Sequence, residues 1–319
     1  MTERGGDILL AATGWDNDVW SKKFSDAAPG RKVHVYPDGV EDPDVHYAIV
    51  WKQAEGALAG LKNLKVIFSL GAGVDHVFAD KFVPDVPVVR VVSDDLTKRM
   101  SEYVVWQVLD HHRMGSKYRA QQASKVWVED RAQVAAKDVT VGMLGLGVLG
   151  CDAALKLKML GFHVTGWSRS AHKIAGIQTF AGEAMLGIFL AQVDILVCLL
   201  PLTPATTNII DHHLINSMTK RGALGAPVIV NAGRGGLQNE VDLLAALEDG
   251  RLSGVSLDVF QQEPLPQDSR FWTHPKVTLT PHAAASSDPN ALVMPIVNQM
   301  AAFERGEALR NLVDRKHHY

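Results

Sequence analysis

The sequence predicts an α/β protein built from two lobes, each with a parallel β-sheet. Short runs rich in Val, Ile and Leu alternate with helix-length amphipathic stretches along almost the whole chain. Because these runs are apolar throughout, they are typical of parallel strands that are buried on both faces. A length of 319 residues allows two domains with sizeable cores.

Five strands are predicted in the first lobe. They cover residues 7–13, 32–36, 47–51, 65–70 and 86–92. Helix-compatible segments or loops separate them, and strands that alternate with helices favour βαβ units. Apolar residues then recur at helical spacing over residues 101–122, with Ser101 placed to cap the first turn. A long helix is therefore expected between the two lobes.

Six further strands are predicted in the second lobe. They cover residues 139–144, 162–167, 194–200, 227–232, 254–259 and 276–280. A helix is expected over residues 291–309, with Pro295 near its first turns or at a kink. An extended tail is expected after it.

The composition excludes several classes of protein and site. The formal net charge of −3 leaves no basic excess for nucleic acid. Cys151 and Cys198 lie in apolar segments and are expected to be small buried residues. The histidine pairs 111–112, 212–213 and 317–318 have no convergent acidic or Cys partners, so we expect surface histidines and no metal site. No apolar run approaches the ~18 residues of a membrane helix, so a soluble, cytoplasmic protein without a membrane partner is expected.

The glycine-rich stretch GLGVLG, residues 145–150, predicts a dinucleotide site. It follows the predicted strand 139–144 directly and opens a helix. Gly145 allows the tight turn, Gly147 lets a phosphate approach the backbone, and Gly150 permits close packing of helix on strand. The helix N-terminus adds dipolar attraction for the phosphates.

The turn after the next strand predicts which dinucleotide is bound. An acidic residue would be expected there in an NAD site, but the chain has Ser168 and Arg169. Arginine gives a charge-assisted, bidentate grip on phosphate, Ser168 and Ser170 add hydroxyl donors, and Lys173 is a third cation. This pattern favours NADP over NAD, which is expected to bind with lower preference.

Polar side chains follow three of the predicted strands in the second lobe. Arg234 follows the strand 227–232, Asp258 ends the next strand with Glu263 just beyond it, and His282 follows the last. The carboxyl ends of parallel strands line one crevice, so we expect these groups to meet. His282 would exchange a proton with a carbonyl or hydroxyl oxygen, and Glu263 would orient the imidazole and favour its protonated form. Arg234 would bind a carboxylate and polarise the carbonyl.

In the first lobe, two features are candidates for binding a substrate. The stretch 69–76 leaves its strand through Gly71 and Gly73, and such a turn can point backbone N–H groups at an anion. An ordinary glycine turn is an equally good interpretation of this stretch alone. Trp51 ends the strand 47–51 and is either a wall of the same cleft or a core residue.

Taken together, these motifs resemble the D-isomer-specific 2-hydroxyacid dehydrogenase family. The similarity runs through nearly the whole chain, in the order LGAGVDH, GLGVLG, LPLTPATTNIID, VNAGRGG, LDVFQQEP and TPHAAAS. Within the family, VWKQ, MSEYVVWQVL and WSRS look most like the glyoxylate/hydroxypyruvate reductase A group. The resemblance implies an NADPH-dependent reductase of short 2-keto acids, with glyoxylate and hydroxypyruvate as leading substrates, that forms a homodimer.

The resemblance also implies a domain division and roles for individual residues. A Rossmann-like NADP-binding domain, residues 100–285, would be inserted into a discontinuous flavodoxin-like substrate-binding domain, residues 1–99 and 286–319. Arg234, Glu263 and His282 take the catalytic places. The implied substrate contacts are Trp51, Gly71, Ala72, Gly73, Arg234 and His282. The implied cofactor contacts are Gly145, Gly147, Val148, Leu149, Gly150, Ser168, Arg169, Ser170, Lys173, Leu200, Pro201, Thr206, Ala232, Gly233, Asp258 and Ala284.

The chain departs from the family pattern in two places, and two alternative functions stay open. Extra residues precede the strand 227–232, and Gly233 stands where many relatives carry another residue, which is expected to loosen the placement of Arg234. One alternative is an NAD(P)-dependent dehydrogenase for a bulkier 2-keto acid or another small anion such as phosphite. The other is a dinucleotide-sensing protein without catalysis, like the corepressors that resemble this family.

Overall fold

The computed structural model describes residues 5–219 and 222–317, which form twelve strands and nine α-helices. The strands are β1 Asp7–Ala12, β2 Val33–Val35, β3 Val45–Trp51, β4 Val66–Ser69, β5 Val88–Val89, β6 Thr140–Leu144, β7 His163–Ser168, β8 Gln178–Ala181, β9 Ile195–Cys198, β10 Val228–Asn231, β11 Gly254–Leu257 and β12 Val277–Leu279. The helices are α1 Asn17–Ala27, α2 Asp75–Phe78, α3 Asp94–His112, α4 Gly115–Ala123, α5 Val148–Met159, α6 Leu186–Leu190, α7 His212–Ser217, α8 Glu240–Glu248 and α9 Pro289–Glu304. Within the described residues, no helix is both long enough and apolar enough to cross a membrane.

The chain divides into two units, each with its own parallel sheet. Unit 1 consists of Met1–Leu96 and Ser287–Tyr319, and unit 2 is the continuous stretch Thr97–Ser286. The sheet of unit 1 has the strand order β2-β1-β3-β4-β5, and that of unit 2 has the order β12-β11-β10-β9-β6-β7-β8. The predicted α/β class with parallel sheets is confirmed.

In unit 2, successive residues of the central strands pack into two different hydrophobic clusters. In β9, for example, Leu196 and Cys198 belong to one cluster, whereas Ile195 and Val197 belong to the other. Because side chains alternate between the faces of a strand, the sheet is buried on both faces. Cys198 is buried as predicted, and burial raises the pKa of its thiol to about 12.

In unit 1, helix α9 is tied to the sheet by a cluster of polar groups around Glu304. Arg31 Nη1 and Nη2 donate to the Glu304 carboxylate at 2.9 and 2.6 Å, and Tyr47 donates its hydroxyl at 3.0 Å. Burial is the largest influence on Glu304 and opposes its ionisation, but the hydrogen bond and charge of Arg31, together with the hydrogen bond from Tyr47, outweigh it and hold the carboxyl pKa below its usual value. Pro295 lies inside α9, and the helix ends five residues before the predicted position 309.

The prediction of one helix over residues 101–122, capped by Ser101, is wrong in two respects. Helix α3 begins at Asp94, where Ser93 Oγ accepts from the N–H of Leu96, and Ser101 is fully buried inside the helix. The helix ends at His112 because Met114 adopts a left-handed conformation with φ +56°, and α4 follows from Gly115. Ser101 Oγ instead bonds to the Asp152 carboxylate on α5.

The histidine pairs differ from the prediction of exposed residues without acidic partners. His112 is buried against Phe162, and the Nε2 atom of His111 lies 2.8 Å from Ser256 Oγ of β11. Burial lowers the pKa of His111 to about 4. His212 and His317 are paired with acidic side chains. Nδ1 of His212 lies 3.3 Å from the Asp242 carboxylate, and Nδ1 of His317 lies 2.6 Å from the Asp314 carboxylate. His318 lies outside the described residues.

Candidate active site

The loop between β6 and α5 has the geometry of a phosphate cradle. Gly145 has φ +111°, and a Cβ on Gly150 would overlap the carbonyl oxygen of Gly145. By contrast, a Cβ on Gly147 would meet nothing within 4 Å. The loop therefore needs glycine at 145 and 150 for its own fold, while the space at Gly147 is open to a ligand. Val148 and Leu149 start the twelve-residue helix α5, whose first N–H groups point towards this space.

The cradle lies at the switch point of the sheet in unit 2. Strand β6 is flanked by β7 on one side and by β9 on the other, and all three are parallel. Ligands of open α/β sheets bind outside the carboxyl ends of the strands at such a point. Leu200 and Pro201 follow β9 at this edge, and Ala232 and Gly233 follow β10.

Some predicted contacts have hydroxyl groups that are used inside their own loops. Ser168 is buried at the end of β7 and donates from Oγ to the carbonyl of Ser170 at 2.7 Å. Thr206 Oγ1 donates to the carbonyl of Pro201 at 2.7 Å and accepts from the N–H of Thr203 at 2.8 Å. These two hydroxyls close turns, whereas Arg169, Ser170 and Lys173 are exposed after β7.

The backbone of Gly233 and Arg234 is held by hydrogen bonds to the side chain of Asn231. Asn231, the last residue of β10, accepts from the N–H of Gly233 at 3.0 Å and donates to the carbonyl of Arg234 at 3.0 Å. Gly233 is buried, and a Cβ there would come within 2.9 Å of the Leu200 carbonyl oxygen. Glycine is therefore required by this close approach, and the Asn231 amide fixes the backbone on both sides.

The extra residues before β10 lie at the opposite end of that strand from Arg234. The described part of the segment, residues 222–226, is held by Asp194, whose Oδ1 accepts from the N–H of Ala223 at 2.7 Å. Its Oδ2 accepts from the N–H of Thr140 at the start of β6, at 2.7 Å. The segment therefore borders the amino ends of the strands, away from the edge that carries Arg234.

Glu263 and His282 form a pair beyond the ends of β11 and β12. Nδ1 of His282 lies 2.8 Å from Oε2 of Glu263, and both side chains are partly buried. Oε1 of Glu263 also accepts from the N–H of Phe260 at 3.2 Å, which orients the carboxylate. A carboxylate on Nδ1 fixes the orientation and the tautomer of an imidazole.

Asp258 supports the backbone at His282 and at the two residues after it. Its carbonyl oxygen accepts from the N–H of His282 at 2.8 Å, and its carboxylate accepts from the N–H groups of Ala283 and Ala284 at 2.8 and 3.0 Å. His282 has φ +53°, a left-handed conformation that a non-glycine residue adopts at a cost. The Asp258 contacts compensate for this cost, so the carboxylate predicted to contact the cofactor also shapes the His282 loop.

A further hydrogen-bond chain reaches Asp258 from helix α3. Thr280 Oγ1 donates to Asp258 Oδ1 at 2.7 Å, and the hydroxyl of Tyr103 lies 2.8 Å from the same Thr280 atom. Burial raises the pKa of the Tyr103 phenol above its usual value, so it stays neutral. Tyr103, Thr280 and Asn231 were not predicted as site residues. Asn231 and Thr280 each had a signal in the sequence, a polar residue at a strand end, whereas Tyr103 had none.

The substrate residues predicted in the first lobe belong to unit 1. The ring of Trp51 lies over Gly71, where a Cβ would overlap it, and it packs edge-on to His76 at 4.9 Å between centroids. The N–H of Gly71 donates to Ser69 Oγ at 3.2 Å. Gly71 is therefore a close-packing position, and the N–H groups of Ala72 and Gly73 are the candidates for an anion.

Two groups of residues in the described part of the chain have the side-chain types of metal ligands. They are Asp211 with His212 and His213, and Asp7 with His34 and Asp42. Neither group adjoins the loops that carry Arg234, Glu263 and His282 in sequence. The contact between His282 and Glu263 supports proton transfer by an imidazole–carboxylate pair.

Comparisons with known proteins point in one direction. A family model described as the NAD binding domain of D-isomer specific 2-hydroxyacid dehydrogenase matches residues 105–284. The glyoxylate/hydroxypyruvate reductase A of Escherichia fergusonii is 38% identical over 315 residues, which cover 97% of this chain and 98% of that protein.

Two solved structures are similar over nearly the whole chain. The NADPH-dependent glyoxylate/hydroxypyruvate reductase from Sinorhizobium meliloti, solved with NADP and sulfate, is 45% identical with a TM-score of 0.93 and covers 98% of this chain and 100% of that one. A probable 2-hydroxyacid dehydrogenase from Rhizobium etli, solved with NADP, HEPES and L(+)-tartaric acid, is 42% identical with a TM-score of 0.92 and covers 99% and 100%.

Proposed function

The chain belongs to the D-isomer specific 2-hydroxyacid dehydrogenase family, and we propose that it reduces short 2-keto acids to 2-hydroxy acids with NADPH. Glyoxylate and hydroxypyruvate are the leading substrates, because similar proteins are named for these two acids. The observation that carries the proposal is the contact of 2.8 Å between Glu263 and His282. Glu263 follows β11 and His282 follows β12, and β11 is adjacent in the sheet to β10, the strand that leads to Arg234.

In this proposal, three residues of unit 2 carry the chemistry. His282 donates a proton to the keto oxygen, and Glu263 orients its ring and stabilises the charged imidazole. Arg234 binds the carboxylate of the keto acid and polarises the adjacent carbonyl. NADPH, when bound, supplies the hydride that reduces the keto carbon.

The residues of unit 2 fit a dinucleotide with a 2′-phosphate. The open space at Gly147 and the N-terminus of α5 fit the pyrophosphate. The exposed Arg169, Ser170 and Lys173 would bind the 2′-phosphate, so NAD would bind less tightly. The predicted contacts from Leu200, Pro201, Ala232, Gly233 and Ala284 would complete the nucleotide site.

Unit 2, which closely follows the expected division at residues 100–285, would be the NADP-binding domain, and unit 1 the substrate-binding domain. Substrate contacts from Trp51 and from the N–H groups of Ala72 and Gly73 remain part of this proposal. Their contribution would appear as a KM effect. A Trp51→Ala variant is expected to raise the KM for glyoxylate more than it lowers kcat.

The proposal is tested by steady-state rates with NADPH and NADH against glyoxylate, hydroxypyruvate, pyruvate and a bulkier 2-keto acid. We expect the highest kcat/KM for NADPH with glyoxylate or hydroxypyruvate. A preference for the bulkier acid would favour a dehydrogenase for larger 2-keto acids. Oxidation of phosphite would favour a dehydrogenase for another small anion. NADPH binding without any turnover would favour a dinucleotide-sensing protein and overturn the proposal.

A homodimer is the proposed assembly, and exposed apolar residues of unit 2 support it. The Trp127 side chain is 100% exposed, and Trp106 and Val128 are more than half exposed. Such residues are typical of surfaces that are covered in an assembly. Light scattering after gel filtration is expected to give twice the chain mass of 34.7 kDa, and Trp127→Glu is expected to lower it.

The free thiols of Cys151 and Cys198 fit the proposed cytoplasmic location.

A further inference from the structure

A buried glutamine lies between the loop that carries Arg234 and the loop that carries Glu263. Gln238 follows the short helical turn after Arg234, and its side chain is fully buried next to that of Asn231. Gln238 Oε1 accepts from Asn231 Nδ2 at 2.8 Å, and Gln238 Nε2 donates to the carbonyl of Val259 at 3.0 Å. The two ends of one amide therefore bond to two different loops.

The hydrogen bond at Gln238 Oε1 leads to Arg234 through a single residue, Asn231. The Asn231 Nδ2 atom that donates to Gln238 also donates to the carbonyl of Arg234 at 3.0 Å. Asn231 Oδ1 accepts from the N–H of Gly233. The Gln238 oxygen thus fixes the orientation of the amide that holds the Arg234 backbone.

On the second side, the bond leads to Glu263. Val259 precedes Phe260, whose N–H donates to Glu263 Oε1. A second bond joins the same loops, since Gln261 Nε2 donates to the backbone carbonyl of Gln238 at 2.8 Å. These two bonds therefore hold the start of the loop that carries Glu263 against Gln238, the residue that orients Asn231.

The amide of Gln238 has only one orientation that suits both loops. Rotation of the amide by a half-turn would place Oε1 against the Val259 carbonyl and Nε2 against the Asn231 amide nitrogen, which leaves like groups facing each other. A buried amide at this position costs more than an apolar side chain unless it makes both bonds. The two hydrogen bonds that join different loops account for a glutamine at this buried position.

We propose that Gln238 is a positioning residue that couples the placement of Arg234 to the placement of Glu263. It acts through its hydrogen bonds to Asn231 and to the Val259 carbonyl. This inference rests on the proposed function, because it concerns how the binding and proton-transfer groups of that reaction are kept in register.

The test compares Gln238→Met with the unmutated protein and with Gln192→Met. Methionine keeps the approximate length and shape of glutamine but makes neither hydrogen bond. The matched control carries the same exchange in unit 2 at a glutamine whose Nε2 donates only to the carbonyl of Ile188, at 3.4 Å. Melting temperature and circular dichroism establish that each variant is folded before its kinetics are compared.

Gln238→Met is expected to lose about 10- to 100-fold in kcat/KM for glyoxylate, the scale on which small misplacements act. The KM for glyoxylate is expected to rise, because Arg234 loses its register. The pH profile of kcat/KM is expected to shift, because Glu263 loses its register with His282. A loss of stability alone would change neither the KM nor the shape of the pH profile of the folded protein.

A second variant, Gln238→Glu, keeps the test decisive if Gln238→Met does not fold. The carboxylate retains the acceptor for Asn231 but repels the Val259 carbonyl, whereas the protonated acid donates to it. Because position 238 is fully buried, the pKa of this carboxyl is expected to lie above the usual value of about 4.3, and the activity of the variant relative to the unmutated protein is expected to rise as the pH is lowered from about 8 to about 5. A relative activity that does not change with pH overturns the inference.

For Gln238→Met, a KM and a pH profile equal to those of Gln192→Met also overturn it. If instead the unmutated protein reduces no 2-keto acid, the proposed function fails. That outcome is seen in the unmutated protein alone, so it is distinct from a failure of the inference about Gln238.

Discussion

The carboxylate of Glu263 lies 2.8 Å from Nδ1 of His282, on a loop whose backbone N–H at Phe260 binds the same carboxylate. Proton exchange with a substrate oxygen would then use Nε2 of His282. The Asp258 carbonyl holds the N–H of His282, so the imidazole is constrained through its ring and through its backbone.

Loss of the imidazole is the most direct test of this pair. His282→Ala is expected to lower kcat for glyoxylate reduction by about 10²–10⁴-fold, the usual cost of losing a general acid. Because the residue lies outside the glycine cradle, quenching of protein fluorescence by NADPH should give an unchanged Kd. An unaffected chemical step in single-turnover experiments would contradict the acid–base role.

The cofactor preference is expected to depend on the turn after β7. Arg169→Asp replaces a phosphate-binding cation by a carboxylate that repels the 2′-phosphate and accepts from ribose hydroxyls. The ratio of kcat/KM for NADPH to that for NADH is expected to fall by about 10- to 100-fold, as a lost charge-assisted bond of 1.5–3 kcal/mol implies. Arg131→Asp, at an exposed arginine paired with Glu129, is the matched control. An unmutated protein that uses both cofactors equally would rule out the selector role.

Two glycines of the cradle are expected to respond differently to the same substitution. Gly147 has φ −74° and open space around its Cβ direction, so Gly147→Ala should fold with an unchanged melting temperature. Its methyl group would occupy the approach of the phosphate and raise the Kd for NADPH at least about tenfold. Gly150→Ala would force the helix away from the Gly145 carbonyl, with a loss of about 1–3 kcal/mol of stability from overpacking. Equal effects of the two variants on stability would contradict this assignment.

Stability is expected to fall in acid because of His111. Its folded pKa of about 4 lies below the ordinary 6.5, so between these values the unfolded chain binds a proton that the folded protein does not. The free energy of unfolding should therefore decrease as the pH falls from 6.5 to 4, by on the order of 2–3 kcal/mol from this group. His111→Gln keeps a polar partner for Ser256 but does not titrate.

Urea denaturation at several pH values measures this contribution. The curve of unfolding free energy against pH should be flatter for His111→Gln than for the unmutated protein. His163→Gln, at an exposed histidine at the start of β7, should leave the curve unchanged. Identical slopes for all three proteins would show that His111 does not carry the acid sensitivity.

The fold was predictable from the sequence where burial alone determines it. Eleven of the twelve strands coincide with apolar runs, because a strand covered on both faces must be apolar throughout. Strand β8 was missed because its sequence QTFA is not an apolar run, Phe180 being its one buried residue. The start of α3 and its end at Met114 depend on a side-chain cap and on one left-handed residue, and apolar periodicity reports neither.

The site was predictable to the extent that its residues follow strands. Glu263 and His282 were expected to meet because adjacent parallel strands end at one edge, and the structure brings them together. Gln238 and Tyr103 were missed because hydrogen bonds define their roles, and partners such as Thr280 lie 177 positions away along the chain. The family predicted from the motifs is confirmed by the comparisons.

Unit 1 is assembled from two stretches of chain that flank the whole of unit 2. Arg31 and Tyr47 both bind Glu304, so neither bond forms until residue 304 has emerged from the ribosome. Unit 2 is continuous and is fully synthesised before that moment. Domains generally fold as units during synthesis, N-terminal ones first. Here unit 1, whose synthesis begins first, can form these bonds only after the whole of unit 2 has been synthesised.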